Sequence, residues 1–372
     1  MLFIPHKHLY ISDASYVSAD ELDYKEVITD ANLRRRMGRL LKMAVWCGLK
    51  SLEGVPSERV AGIITSTGAG FMKDTISFGS SIFDREETLL NPSPFMQSTF
   101  NTASGYIALI RKIHAYNTTY VQQADGFAAS LVDAAMLLDD AGEGNVALVG
   151  AFDEVTPEVD VIRQRLGLYR VGDGFLPLGE GAAAFLLSAA MPTDGSGSCR
   201  ATEMSAGPGG GDGSESDSGR DGDEAGSESA SERGGDANSE SSTGPLRESE
   251  SVSCPCDESG SKSSFEPLHE YGGTSSRSLN GTKDGNAALR FCGLANLSDL
   301  SKCAEDPIAE LFGINAGVNV ISCADHVESL GAFRSLLPVL LCKLISEQKI
   351  PDGYTAIVDD VNEDGVIVLL HK

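Results

Sequence analysis

The sequence is short of basic residues: 29 Lys and Arg stand against 54 Asp and Glu, a formal charge of −25 over 372 residues. So acidic a balance offers no basic face for phosphates and excludes a whole-chain nucleic-acid binder. No run of about 18 apolar residues occurs, so no membrane-spanning helix is expected. The first eight residues, Met1 to His8, lack a basic stretch followed by a long apolar one, which argues against a secretory signal. The eight cysteines are scattered, only Cys254 and Cys256 sit close together, and none falls between Cys47 and Cys199. Without a secretion signal, the reading is a cytoplasmic chain with reduced thiols. Cys254-Pro255-Cys256 has no second ligand pair at zinc spacing nearby, so neither metal nor other cofactor is expected.

Apolar residues are also scarce in one block. Residues 191–286 hold 18 Gly and 22 Ser, with 19 acids and 7 bases, a net −12. Stretches such as Gly207-Pro208-Gly209-Gly210-Gly211 offer almost nothing to bury and cannot offset their conformational entropy. The block reads as a disordered acidic insertion, tolerable because loop-closure entropy grows slowly with length. It separates an N-terminal half, 1–190, from a shorter C-terminal half, 287–372.

Both halves alternate helix-like and strand-like patterns. Residues 31–52 read as one helix, with Leu33, Met37, Leu40, Leu41 and Ala44 at helical spacing. Residues 60–67 read as a strand closed by Gly68-Ala69-Gly70, a turn that lacks the Gly-Lys-Ser/Thr ending of a phosphate loop. Helices are expected at 104–115, 128–138 and 330–346, and strands at 118–121, 145–151, 181–188, 355–361 and 366–371. Fully apolar strands between helices indicate a layered α/β fold with a buried sheet.

Four segments, in order, resemble the β-ketoacyl synthases of the thiolase superfamily. They are Gln97-Ser98-Thr99-Phe100-Asn101-Thr102, leading an Asn-headed helix; 120–138, a strand, turn and helix; 145–154, a strand and turn; and Asp173-Gly174-Phe175 through Gly179-Glu180-Gly181-Ala182, a Gly-rich turn feeding a core strand. Leu33-Arg34-Arg35-Arg36-Met37, Asn91-Pro92-Ser93-Pro94-Phe95 and Thr119-Tyr120-Val121 further resemble a short Bacteroidetes-type branch encoded with flexirubin and aryl-polyene genes. The resemblance implies a thiolase-like fold, here with an abbreviated C-terminal half, and a substrate carried on an acyl carrier protein.

The family holds its acyl chain on a cysteine at the N-terminus of a buried helix, where the helix dipole favours the thiolate. Anchored on the downstream helix, that position is Phe127, which cannot attack a thioester. A register slip offers Gln123 or Asp125, and Gln there resembles chain-length factors and decarboxylase variants. The family's histidines come from the second half. No HGTGT-like segment is present, and the 323–332 stretch only weakly resembles the second-histidine loop, with His326 as its candidate and the usual preceding lysine absent. A Cys323–His326 nucleophile pair is a weaker alternative, and His114 reads as a surface or structural residue. Glu180, between Gly179 and Gly181, reads as a structural carboxylate binding backbone amides of the turn. Arg35, Arg39 and Lys42 at i, i+4 and i+7 would form a basic stripe that either docks the acidic carrier protein or is simply a solvated face.

These readings converge on a protein of fatty-acyl or polyene (polyketide-like) biosynthesis. Its expected role is non-catalytic and chain-length-factor-like, paired with an active ketoacyl synthase through the strand at 118–121 and the helix at 104–115. The alternatives are a homodimeric module binding acyl-carrier-protein intermediates, and an acyltransferase or decarboxylase working with Asp125 or His326.

Overall fold

The computed structural model describes residues 9–18, 23–122, 126–190, 200–203, 288–295, 307–312, 314–361 and 365–372. In chain order the elements are β1 Leu9–Val17, α1 Ala31–Arg36, α2 Arg39–Ser51, β2 Val60–Thr67, α3 Met72–Asp84, α4 Pro92–Gln97, α5 Thr102–Arg111, β3 Tyr116–Val121, α6 Gly126–Ala141, β4 Val146–Asp153, α7 Pro157–Leu166, the short pair β5 Arg170–Val171 and β6 Gly174–Phe175, and β7 Gly181–Ser188. There follow β8 Arg200–Glu203, β9 Ala288–Ala295, α8 Pro307–Phe312, β10 Val318–Ser322, α9 Val327–Leu330, α10 Leu336–Ser346, β11 Tyr354–Asp359 and β12 Gly365–His371.

Ten strands share one sheet in the order β10-β11-β12-β9-β1-β7-β4-β2-β3, with β8 beside β1. Strands β2, β3 and β4 run parallel, and β7 runs antiparallel to both β4 and β1. The period-two rule of strands explains the layering. On β7, Ala183, Phe185 and Leu187 join the cluster under α6 and α10, while Ala182, Ala184 and Leu186 join the cluster under α2 and α5. On β12, Val366, Val368 and Leu370 face the α6–α10 cluster, and Ile367 and Leu369 pack with Ile308 and Phe312 of α8. Both parts of the sheet thus bury one face against the same pair of apolar helices. The described residues all belong to one unit, Met1–Gly210 with Asn280–Lys372; the other unit, Gly211–Leu279, lies outside them.

Three expectations change. Arg200–Glu203, inside the block read as an insertion, pairs in parallel with β1, Asp13 opposite Arg200; apart from these four residues, the block lies outside the described residues. The helix expected over 31–52 is two helices. Asp30 caps α1, accepting from Asn32 N at 2.8 Å, and the backbone turns extended at Met37. The buried Gln97 side chain enters the break, accepting from Gly38 N at 2.9 Å and donating to the Arg36 carbonyl. The helix expected over 330–346 is also divided, into α9 and α10.

That second division has a packing cause. Gly331 adopts φ +77°, and the next residue pairs with the Gly-rich turn: Ala332 N donates to Pro177 O at 2.6 Å, and Leu178 bridges to Ala332. A Cβ on Gly179 would overlap the Leu330 carbonyl and stand 2.9 Å from Gly331 Cα. Both positions therefore require glycine. Gly179→Ala should cost about 1–3 kcal/mol or more, because backbone must move. Gly79→Ala, on exposed α3 with nothing nearby, should be neutral or slightly stabilising. Urea unfolding followed through the single Trp46 measures both.

Candidate functional site

The C-terminal ends of parallel strands, where ligands bind in open α/β sheets, are the place to look. At the end of β4 the buried Asp153 carboxylate accepts from Thr67 Oγ1 at 3.1 Å, Gly68 N at 2.8 Å and Ala69 N at 3.3 Å. Gly70 N donates to Thr67 Oγ1 at 2.9 Å. The turn after β2 is therefore filled by the protein's own carboxylate, which removes the phosphate-loop possibility. Arg334 lies across Gly68, where a Cβ would overlap its side chain. Next door, Glu154 accepts from Lys73 N at 3.0 Å.

Phe127, the residue that the sequence resemblance sets at the nucleophile position, is the second residue of α6 and is 4% exposed. Its ring lies 5.6 Å from that of Phe185 at 42°. A buried ring of this size contributes about 1.5–3 kcal/mol to the core and offers no nucleophilic atom. Gln123 and Asp125 lie outside the described residues. Cys47, Cys323 and Cys342 are all buried. Burial pushes the Cys47 and Cys323 thiols up, the latter helped by Asp359 and Asp360, so neither supplies a thiolate. Half-buried His326 ends the one-turn helix Ala324–His326, its N–H donating to Cys323 O at 3.0 Å. Asp360 holds that turn as Asp153 holds the other, accepting from Ala324 N at 2.9 Å and from Ser322 Oγ.

Other sequence-selected residues disperse. Glu180 pairs with Arg39 and accepts from Val155 N at 3.4 Å. Because α1 and α2 are separate, Arg35, Arg39 and Lys42 do not form one stripe: Arg35 is exposed on α1, and Arg39 is drawn to Glu180. His114 is exposed in the loop between α5 and β3.

Beside β3 opens a pocket of about 540 Å³, lined by Thr75, Ser98, Thr99, Phe100, Asn101, Thr119 and Val121. Its hydroxyls are engaged within the protein: Thr75 donates to Phe71 O, Ser98 to Phe95 O, and Thr119 shares a hydrogen bond with Thr65 at 2.7 Å. β3 itself is the sheet's edge among the described residues, with Tyr116 and Val121 exposed.

Residues 16–165 match the family model described as the N-terminal domain of β-ketoacyl synthases. This part of the chain is similar to a β-ketoacyl synthase N-terminal domain. Two solved structures extend the fold to the rest. The ishigamide ketosynthase/chain length factor aligns over 98% of both chains, with TM-score 0.57 and 14% identity. A type II polyketide ketosynthase in complex with its acyl-carrier protein aligns over 98% of this chain and 99% of that one, with TM-score 0.58 and 11% identity. The layered ketosynthase-like, thiolase-type fold is thereby shown. No curated protein matches the chain in sequence. Among the described residues, no helix is long and apolar enough to cross a membrane.

In this β-ketoacyl synthase-like domain, Asp153 and Arg334 were not singled out from sequence. Asp153 lay inside the 145–154 segment, but its partners come from residues 67–69 and 334. Burial raises the Asp153 carboxyl to about 6, against the pull of its hydrogen bonds and of Arg334. The folded protein therefore holds this proton more tightly than the unfolded chain does, so the group's contribution to stability falls as pH rises from about 4 to about 6. The fall amounts to at most about 3 kcal/mol. Asp153→Asn, which keeps an acceptor oxygen, should flatten that part of the stability–pH curve measured by urea unfolding.

Proposed function

We propose that the chain is a non-catalytic, chain-length-factor-like subunit. It pairs with an active, cysteine-bearing ketoacyl synthase in the cytoplasm, and substrate arrives on an acyl carrier protein. The observation that carries this reading is Phe127, an inert core ring at the nucleophile position, together with two buried thiols held protonated by their surroundings. The fold neighbours support it in kind, being a ketosynthase/chain length factor and a ketosynthase bound to its carrier protein. Polyene or flexirubin-type products follow from the motif resemblance.

β3 supports the pairing. Tyr116-Asn117-Thr118-Thr119-Tyr120-Val121 is β-branched and aromatic, as pairing strands are, and an unpaired edge of this kind invites another strand. Tyr116 and Tyr120 both donate to Asp133, at 3.0 and 3.1 Å, which fixes that face of the strand. A partner strand laid along β3 would border the 540 Å³ pocket, where Val121 and Thr119 already contribute, and would let this chain shape a shared acyl tunnel.

Sedimentation with the synthase tests the reading. The wild-type chain should sediment in a complex with the synthase at micromolar concentration. Tyr116→Asp with Val121→Asp should weaken it at least tenfold, since charges block strand edges. A chain that stays monomeric with and without the synthase would contradict the pairing.

A further inference from the structure

Helix α7 is inside out. Its one buried residue is Arg163, 7% exposed, while Val161, Ile162 and Leu166 are 48%, 47% and 68% exposed. Arg163 holds the helix down by donating from Nε to Asp160 at 2.6 Å and by stacking its guanidinium 5.3 Å from the Phe175 ring centre. The ends are firmly made. Thr156 accepts from Val159 N at 3.2 Å, Pro157 opens the first turn, and Gly167 closes the last at φ +69°. So the helix is anchored, but its apolar side faces away from its own core. Val and Ile are weaker helix formers than the straight-chain residues that suit a solvated face, so their presence there calls for a contact.

The exposed side has an order. Glu158, Val161, Ile162 and Arg165 fall at i, i+3, i+4 and i+7, one continuous stripe spanning about 10 Å. Glu158 and Arg165 are both exposed, and neither makes an ion pair with another of the described residues. Turning the helix end for end exchanges the acid at one end with the base at the other and leaves the two apolar residues between them. Such a stripe is complementary to itself across a two-fold axis, as an isologous contact requires.

We propose that α7 is a contact surface for a second copy of this chain, with the two helices antiparallel. Glu158 of each copy meets Arg165 of the other, and Val161 and Ile162 pack about the axis. Leu166, with Val171 and Phe175 of the neighbouring β5–β6 hairpin, extends the apolar area. This surface shares no residue with β3 or with the pocket beside it, and the proposal stands whether or not β3 pairs with a synthase. If both contacts form, two heterodimers join into a four-chain assembly.

Charge reversal supplies the test, read by sedimentation of the full chain without synthase. Arg165→Glu places like charges together twice per contact and should weaken self-association about tenfold or more. Glu158→Arg should do the same. The double reversal Glu158→Arg with Arg165→Glu restores opposite charges across the axis and should recover wild-type association. Circular dichroism and Trp46 emission check that each variant is folded. A benzophenone side chain installed at Val161 supplies a second measurement in an otherwise wild-type chain. Irradiation should yield a cross-linked peptide joining two α7 segments, and neither this product nor synthase pairing should depend on the β3 variants or on Arg165→Glu, respectively. Single reversals that sediment as wild type, a folded double reversal that stays weakened, or no α7–α7 cross-link at micromolar concentration would each overturn the proposal.

Discussion

The backbone contact between Gly179 and Gly331 is the constraint on which the candidate site depends. It lets the Gly-rich turn of the N-terminal part pair with the loop after α9, through Ala332 N to Pro177 O at 2.6 Å. Two residues further on, Arg334 reaches across Gly68 toward the buried carboxylate of Asp153. One missing pair of side chains thus brings together the ends of β2 and β4, the start of α10 and the loop carrying His326. The same approach ends the continuous helix that the apolar run after Leu330 would otherwise make.

The two parts of the fold use one device twice. In each, an acid at or just past the end of a strand ties the turn after its parallel neighbour: Asp153 binds the amides of Gly68 and Ala69, and Asp360 binds Ala324 N and Ser322 Oγ. The Asp153 carboxylate satisfies part-buried turn amides that would otherwise lack acceptors, while the Asp360 bonds lie at the surface and fix the turn's shape. Both turns are consequently occupied from within, and Cys323, lying in the second, is sealed by burial. Beside these turns, the start of α6 is packed core, with the Phe127 ring buried against Phe185.

Much of the architecture was legible in the sequence where burial is two-sided. Residues 60–67 and 181–188 are strands with those bounds, because every position there must be small or apolar to sit between helix layers. β1 was not legible, since Ser15 and Ser51 bury hydroxyls against each other at 2.8 Å, a partnership between distant residues that no linear pattern displays. The break between α1 and α2 was hidden for a like reason: its cause is Gln97, 59 residues beyond Gly38. Helix α7 escaped because its apolar residues point outward. Of the candidate site, the sequence displays the lack of any cysteine between Cys47 and Cys199, whereas the pairing of Arg39 with Glu180, which splits the basic stripe, joins distant residues that no linear pattern displays.

The central claim is that this chain holds no acyl group of its own, and intact-protein mass spectrometry tests it most directly. After incubation with an acyl thioester the chain should keep its unmodified mass, because Phe127 offers nothing to acylate and burial keeps the Cys47 and Cys323 thiols protonated. A stoichiometric acyl adduct on any residue of the folded chain would contradict the account.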